Sequence, residues 1–95
     1  MRIRIETLGL PTLAEAIGRR TEIELCGATV ADLVDELIGR FPAEARRVLV
    51  DPDGGLERSI QIMVNEEGFL TRDELPFRRL AEGDRVRFML LVCGG

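Results

Sequence analysis

The chain contains no histidine, no lysine, no tryptophan and no tyrosine. Without histidine it lacks the usual general base and nitrogen metal ligand, so hydrolytic or metal chemistry carried out by the chain itself is not expected. Without lysine, all 13 basic residues are arginine, and no side-chain amine is present to attack an activated carboxyl group; biased codon usage produces the same composition. Two cysteines, Cys26 and Cys93, are too few for a four-thiolate zinc site or an iron–sulfur cluster, which excludes a small ferredoxin. No run approaches the ~20 apolar residues of a membrane span. Met1-Arg2-Ile3-Arg4 does not lead into an apolar signal region, so a cytoplasmic protein without a membrane partner is expected. A net charge of −4 and no long basic block argue against nucleic acid as a partner.

What is present suits one compact domain. The length of 95 residues, with 45% hydrophobic and 32% charged positions, allows a single core without disulfide or metal support over residues 1–95. Arg2 to Leu8 alternates charged and apolar residues, placing Ile3 and Ile5 inward on a strand with one wet face. Gly9-Leu10-Pro11 breaks it, and Thr12 to Gly18 forms either a short helical turn or an irregular connection. Thr21 to Leu25 alternates again and pairs antiparallel with the first strand.

The clearest helix follows. Val30, Leu33, Val34, Leu37, Ile38 and Phe41 recur at helical spacing on one face, Thr29 and Asp32 approximate a capping box, and Pro42 stops the run. Its other face, with Asp32, Asp35, Glu36 and Arg40, is a solvated surface. From Ala43 to Leu56 the pattern weakens into a surface excursion, with a helical turn or two possible before the turn signal Asp51-Pro52-Asp53-Gly54-Gly55. Asp51 and Asp53 begin like a calcium loop, but the remaining ligands are missing, so no metal site is assigned.

Ser59 to Val64 resumes alternation, Asn65-Glu66-Glu67-Gly68 is its turn, Phe69-Leu70 is a short edge strand, and Asp73 to Phe77 is a loop. Leu80-Ala81-Glu82-Gly83-Asp84 turns the chain into a last strand, on which Val86, Phe88, Leu90 and Val92 face inward. Arg85, Arg87, Met89, Leu91 and Cys93 face outward, and Met63 on a neighbouring strand joins Met89 and Leu91 as a group that points to docking. The strand delivers Gly94-Gly95, a flexible tail without side chains that suits a narrow channel in a partner.

The hairpin, the helix after Thr29-Val30-Ala31-Asp32-Leu33, the strand ending Val64-Asn65-Glu66-Glu67, the Glu82-Gly83-Asp84 turn and terminal Gly94-Gly95 together resemble the MoaD/ThiS sulfur-carrier family. The resemblance runs through nearly the whole chain and is weakest from Ala43 to Arg58. It implies an α+β, ubiquitin-like β-grasp fold: a mixed four- to five-stranded sheet with one main helix on one face. It also implies that the Gly95 carboxylate is adenylated with ATP by an adenylyltransferase resembling the ubiquitin activators and then converted to a thiocarboxylate. The chain itself would then be a carrier and not an enzyme, with no cofactor of its own. A cysteine desulfurase or rhodanese would supply sulfur, and a synthase would receive it. The resemblance leaves open a cysteine-type carrier, a molybdopterin synthase small subunit or a thiamine-type carrier. Val48-Leu49-Val50-Asp51-Pro52 and Val64-Asn65-Glu66-Glu67 look closest to the cysteine type.

Cys93 departs from the family pattern. A persulfide or a transient link near the tail is one reading, and an ordinary outward strand residue is the simpler one. A Cys26–Cys93 disulfide is not expected, because in the β-grasp sheet that the resemblance implies the second strand runs antiparallel to the first and the last parallel to it, which sets the two at opposite sheet ends, beyond the ~7 Å Cα separation a bridge allows. Two other functions fit the same residues: a protein modifier joined through Gly95 to a lysine of a target, and a β-grasp interaction domain whose terminus stays unmodified.

Overall fold

A computed structural model describes residues 1–57 and 59–90 of the chain. Alternation and helical spacing resolve into β1 (Arg2–Leu8), α1 (Pro11–Ile17), β2 (Arg20–Glu24), α2 (Val30–Arg40), α3 (Pro42–Leu49), β3 (Ile60–Val64), β4 (Phe69–Leu70) and β5 (Arg85–Leu90). The five strands form one mixed sheet in the order β2-β1-β5-β3-β4. β1 runs antiparallel to β2 and parallel to β5, and β3 runs antiparallel to both β5 and β4. This is the β-grasp arrangement, with the last strand at the centre of the sheet.

The pleat decides which side chains meet the helices. Ile3, Ile5, Ile23, Ile60, Ile62, Val64, Val86 and Phe88 are buried on one face and join Leu13, Leu33, Leu37 and Leu49 in a single core. Each fully buried side chain of this size contributes about 1.5–3 kcal/mol of transfer free energy. Thr7 is the buried polar residue among them, and its hydroxyl donates to the Gly18 carbonyl oxygen at 3.1 Å.

α2 starts as its residues dictate. The Thr29 hydroxyl accepts from the Asp32 amide at 3.2 Å, while Asp32 Oδ2 accepts from the amides of Thr29 at 3.0 Å and Ala28 at 2.8 Å. Those bonds, the Ala28 amide first and the Thr29 amide next, hold the Asp32 carboxyl below its ordinary value against the opposing effect of desolvation. Two more amides at this end, of Val30 and Ala31, donate to the carbonyls of Arg78 and Leu75 at 3.0 Å each. The segment expected to be a loop from Asp73 to Phe77 therefore caps the helix: it opens with a 3-10 turn over Arg72–Glu74 and buries Leu75.

Two expectations are corrected. The stretch after Pro42 is not a surface excursion throughout, because Pro42 is the first residue of α3, which buries Ala45 and Leu49 completely. In its eight residues Ala45, Val48 and Leu49 share one face, but this stripe covers barely one turn among charged neighbours, which makes its periodicity weaker than that of α2. Beyond it, Val50 to Leu56 is the expected loop, in which Asp51 Oδ1 accepts from the amides of Asp53 and Gly55 and Oδ2 from Arg72 at 2.9 Å. Leu90, expected inward, has the inward parity but is 41% exposed. It stands beside Gly9, where an added Cβ would lie 3.5 Å from Leu90 Cβ, so the neighbouring position offers no side chain to cover it.

Among the described residues no helix is long and apolar enough to cross a membrane, and no group of acidic or cysteine residues is placed to hold a metal ion.

Candidate functional site: the uncovered sheet face and the end of β5

β5 is paired along both edges, Arg85–Met89 with Arg4–Leu8 and Val86–Leu90 with Ile60–Val64. A strand held this way fixes the direction in which the chain leaves the sheet. β5 ends where Met89 faces Leu8 in register, at the opposite end from the Arg2–Glu24 pair. Leu91, Cys93, Gly94 and Gly95 lie outside the described residues, as does Val92.

Met63 and Met89, expected to group on the face away from the helices, do so and are half-buried. Met89 lies between Leu8 of β1 and Gln61 of β3, and Met63 lies between Arg87 of β5 and Phe69 of β4. Leu8 and Phe69 are 46% and 50% exposed, and with the two methionines they form an apolar band that runs diagonally across the sheet, flanked by Gln61 and Arg87. Sequence reasoning missed these two. Leu8 carried a usable signal, since it continues the outward series Arg2, Arg4, Glu6. Phe69 carried less, because a two-residue strand shows no alternation.

Toward the other end the same face is ionic. Arg87 Nε donates to Glu6 Oε1 at 3.0 Å, both side chains half-buried, and Arg87 also lies 3.6 Å from Glu66. Glu6 pairs with Arg20 at 3.9 Å, Arg4 with Glu22 at 3.7 Å, and Arg85 with Glu66 at 3.5 Å. An open concavity of about 570 Å³ lies over Arg4, Glu6, Arg20, Glu22 and Arg85. A second, of about 270 Å³, is lined by Thr7 to Pro11, Ala14 and Arg19, beside the end of β5. Along β5 the apolar pair Leu8–Met89 stands at the end of the strand, and the charged lattice begins two residues back, at Arg87, which lies between Glu6 and Met63.

The Glu82-Gly83-Asp84 turn locks the start of β5. Gly83 has φ +84°, a backbone conformation that L side chains disfavour, and its amide donates to the Arg2 carbonyl at 2.8 Å. Arg4 donates from its amide to the Asp84 carbonyl at 2.9 Å. Asn65 in the β3–β4 turn donates to Asp84 Oδ1 and accepts from the Arg85 amide, both at 2.9 Å. Cys26 is exposed just beyond β2, at the end of the sheet away from the end of β5.

The arrangement can present the end of a rigid central strand next to a surface that an apolar partner would cover. The family model that matches the sequence, over residues 11–95, is described as the ThiS family. Among solved structures, SAMP1, small archaeal modifier protein 1, from Haloferax volcanii is 29% identical over 100% of this chain and 100% of its own, with a TM-score of 0.73. CysO from Mycobacterium tuberculosis is 24% identical over 95% of this chain and 99% of its own, with a TM-score of 0.69. A putative molybdopterin converting factor subunit 1 from Pyrococcus furiosus is 23% identical over 97% of this chain and 99% of its own, with a TM-score of 0.63. The last two likenesses speak for the fold alone. No curated protein matches the sequence. With the family match reaching from α1 to the final glycine, and the sheet order found here, the chain belongs to the ThiS family of ubiquitin-like β-grasp sulfur carriers.

Proposed function

We propose that this chain carries sulfur as a thiocarboxylate on Gly95. A carboxylate is a poor electrophile, whereas its mixed anhydride with AMP has a good leaving group and accepts a sulfur nucleophile. An activator of the ubiquitin-activating type would form that anhydride from ATP, a desulfurase or rhodanese would supply the sulfur, and a biosynthetic synthase would take it. The observation that carries this reading is the family match running through Gly94-Gly95. The placement of β5 supports it, since the strand leading to the tail ends beside Leu8 and Met89, with Met63 and Phe69 two residues back on the same face. In this role Gly95 bears the sulfur, Gly94 supplies reach, and Met63, Met89 and Leu91 belong to the docking surface. Cys93 is assigned no chemistry.

A second reading, a modifier conjugated through Gly95 to other proteins, is favoured by the likeness to SAMP1 along the full length of both chains. Incubation with an activating enzyme, ATP and a sulfur donor, followed by intact mass spectrometry, separates them. The carrier gains the mass of one oxygen-to-sulfur exchange, and removal of Gly95 abolishes the gain. A chain that never gains it, yet forms adducts with larger proteins, is the modifier.

A further inference from the structure

We infer that this chain can donate its activated carboxyl end but cannot accept one, so that a lasting amide joins it to another protein and never to a second copy of itself. The inference rests on the activation of Gly95 proposed above. When an amine attacks an acyl adenylate, its nitrogen bonds to the glycine carbonyl carbon. The carbon–oxygen bond to AMP breaks, AMP leaves with the electron pair, and the nitrogen loses its extra proton to water.

The acceptor must therefore be an amine that can reach solvent. No lysine occurs among the 95 residues. None of the 13 arginines can replace it, because the guanidinium stays protonated and its nitrogen electrons are delocalised. The α-amine of Met1 is tied into the sheet. It donates to the Leu25 carbonyl oxygen at 2.9 Å and lies 3.6 Å from the Glu24 carboxylate. The Leu25 amide returns a bond of 2.7 Å to the Met1 carbonyl. These bonds extend the β1–β2 ladder one step beyond Arg2–Glu24 and anchor the amine at the end of the sheet opposite the end of β5. Cys26 is an exposed thiol, but a thioester on it exchanges with any added thiol and leaves no lasting link. A serine or threonine hydroxyl, Ser59 beside the Glu57 carboxylate included, would give an ester and not an amide.

The test compares the wild-type chain with Arg46→Lys/Arg47→Lys, two exposed positions on α3 that keep their charge and lie away from the uncovered sheet face. Each is incubated with the activating enzyme and ATP, without a sulfur donor. Pyrophosphate release is followed, and dithiothreitol-resistant species are weighed by mass spectrometry. The expected result is pyrophosphate from both chains, a species of two chains less one water from the variant, and its absence from the wild type. A wild-type chain that forms the two-chain amide overturns the inference, and so does a variant that releases pyrophosphate but forms none. Absence of pyrophosphate from both refutes the activation itself, and the inference falls with it. A Gly95 thioester made by intein cleavage repeats the comparison without the enzyme: at alkaline pH the wild type should only hydrolyse, while the variant should also yield amide-linked dimers.

Discussion

Leu8 and Met89 face one another in parallel register on β1 and β5, at the end of the sheet where β5 stops. Neither belongs to the helix-covered core. Leu8 keeps 46% of its surface exposed at the last position of its strand, where a charged residue would cost the fold little. Its apolar character there is what a docking surface needs.

The Leu8→Arg variant separates docking from stability. A substitution at so exposed a position should change folding free energy by no more than about 0.5 kcal/mol. If the band of Leu8, Met63, Phe69 and Met89 meets the activating enzyme, the same change should weaken binding by about 2 kcal/mol, roughly 30-fold, as for a central interface residue. Calorimetric titration with that enzyme gives the binding and thermal unfolding the stability. Unchanged affinity would remove the band from the interface.

The place of α3 in the core gives a second expectation. Leu49 is completely buried, so Leu49→Ala should cost about 2–5 kcal/mol in denaturant unfolding, as other large-to-small core changes do. A loss below about 1 kcal/mol, the usual size for a surface change, would return this stretch to the surface.

The difference between what the sequence announces and what it conceals follows from element length and local chemistry. α2 was legible because its stripe spans three turns and begins at Thr29 with a side-chain cap that depends only on residues three apart. β1, β2, β3 and β5 were legible because one face is wet and the other dry. α3 was less so, since Ala45, Val48 and Leu49 make a stripe of barely one turn. The segment from Leu75 to Arg78 was not, since its role is to offer backbone carbonyls to α2, and backbone acceptors leave no mark on residue type. Of the candidate site, Met63 and Met89 followed from alternation alone. Leu8 was within reach of the same alternation, as the next outward position after Glu6, whereas Phe69 needed the register that brings β4 beside Met63.

The cap of α2 predicts a pH dependence. In the folded chain the Asp32 carboxyl sits below its ordinary value, chiefly through the Ala28 amide and then the Thr29 amide. A carboxyl depressed by folding stabilises the fold at pH values above its unfolded pKa, and that contribution is lost as pH falls toward the folded value. The melting temperature should therefore fall on acidification below about pH 4, the ordinary range of an aspartate, and Asp32→Asn should flatten that part of the profile. Thr29→Ala removes the hydroxyl acceptor instead and should cost about 1 kcal/mol at neutral pH. An acid limb of equal steepness in Asp32→Asn and the wild type would exclude the cap as its source.

Asn65 tests how the β3–β4 turn is tied to the start of β5. Its backbone lies in the left-handed region at φ 51°, and its side chain bridges Asp84 and the Arg85 amide at 2.9 Å each. Asn65→Gly loses both side-chain bonds but accepts the backbone, and exposed bonds of this kind should cost about 1 kcal/mol together. Asn65→Ala loses the same bonds and adds the left-handed penalty of an L side chain, about another 1 kcal/mol or more. Urea unfolding of the two variants should thus rank alanine below glycine, although glycine leaves the more flexible unfolded chain. Equal stabilities would mean that the turn relaxes out of the left-handed region once the bridge is gone. In that case the side-chain bonds to Asp84 and Arg85 impose the backbone conformation, and the hairpin's own geometry does not.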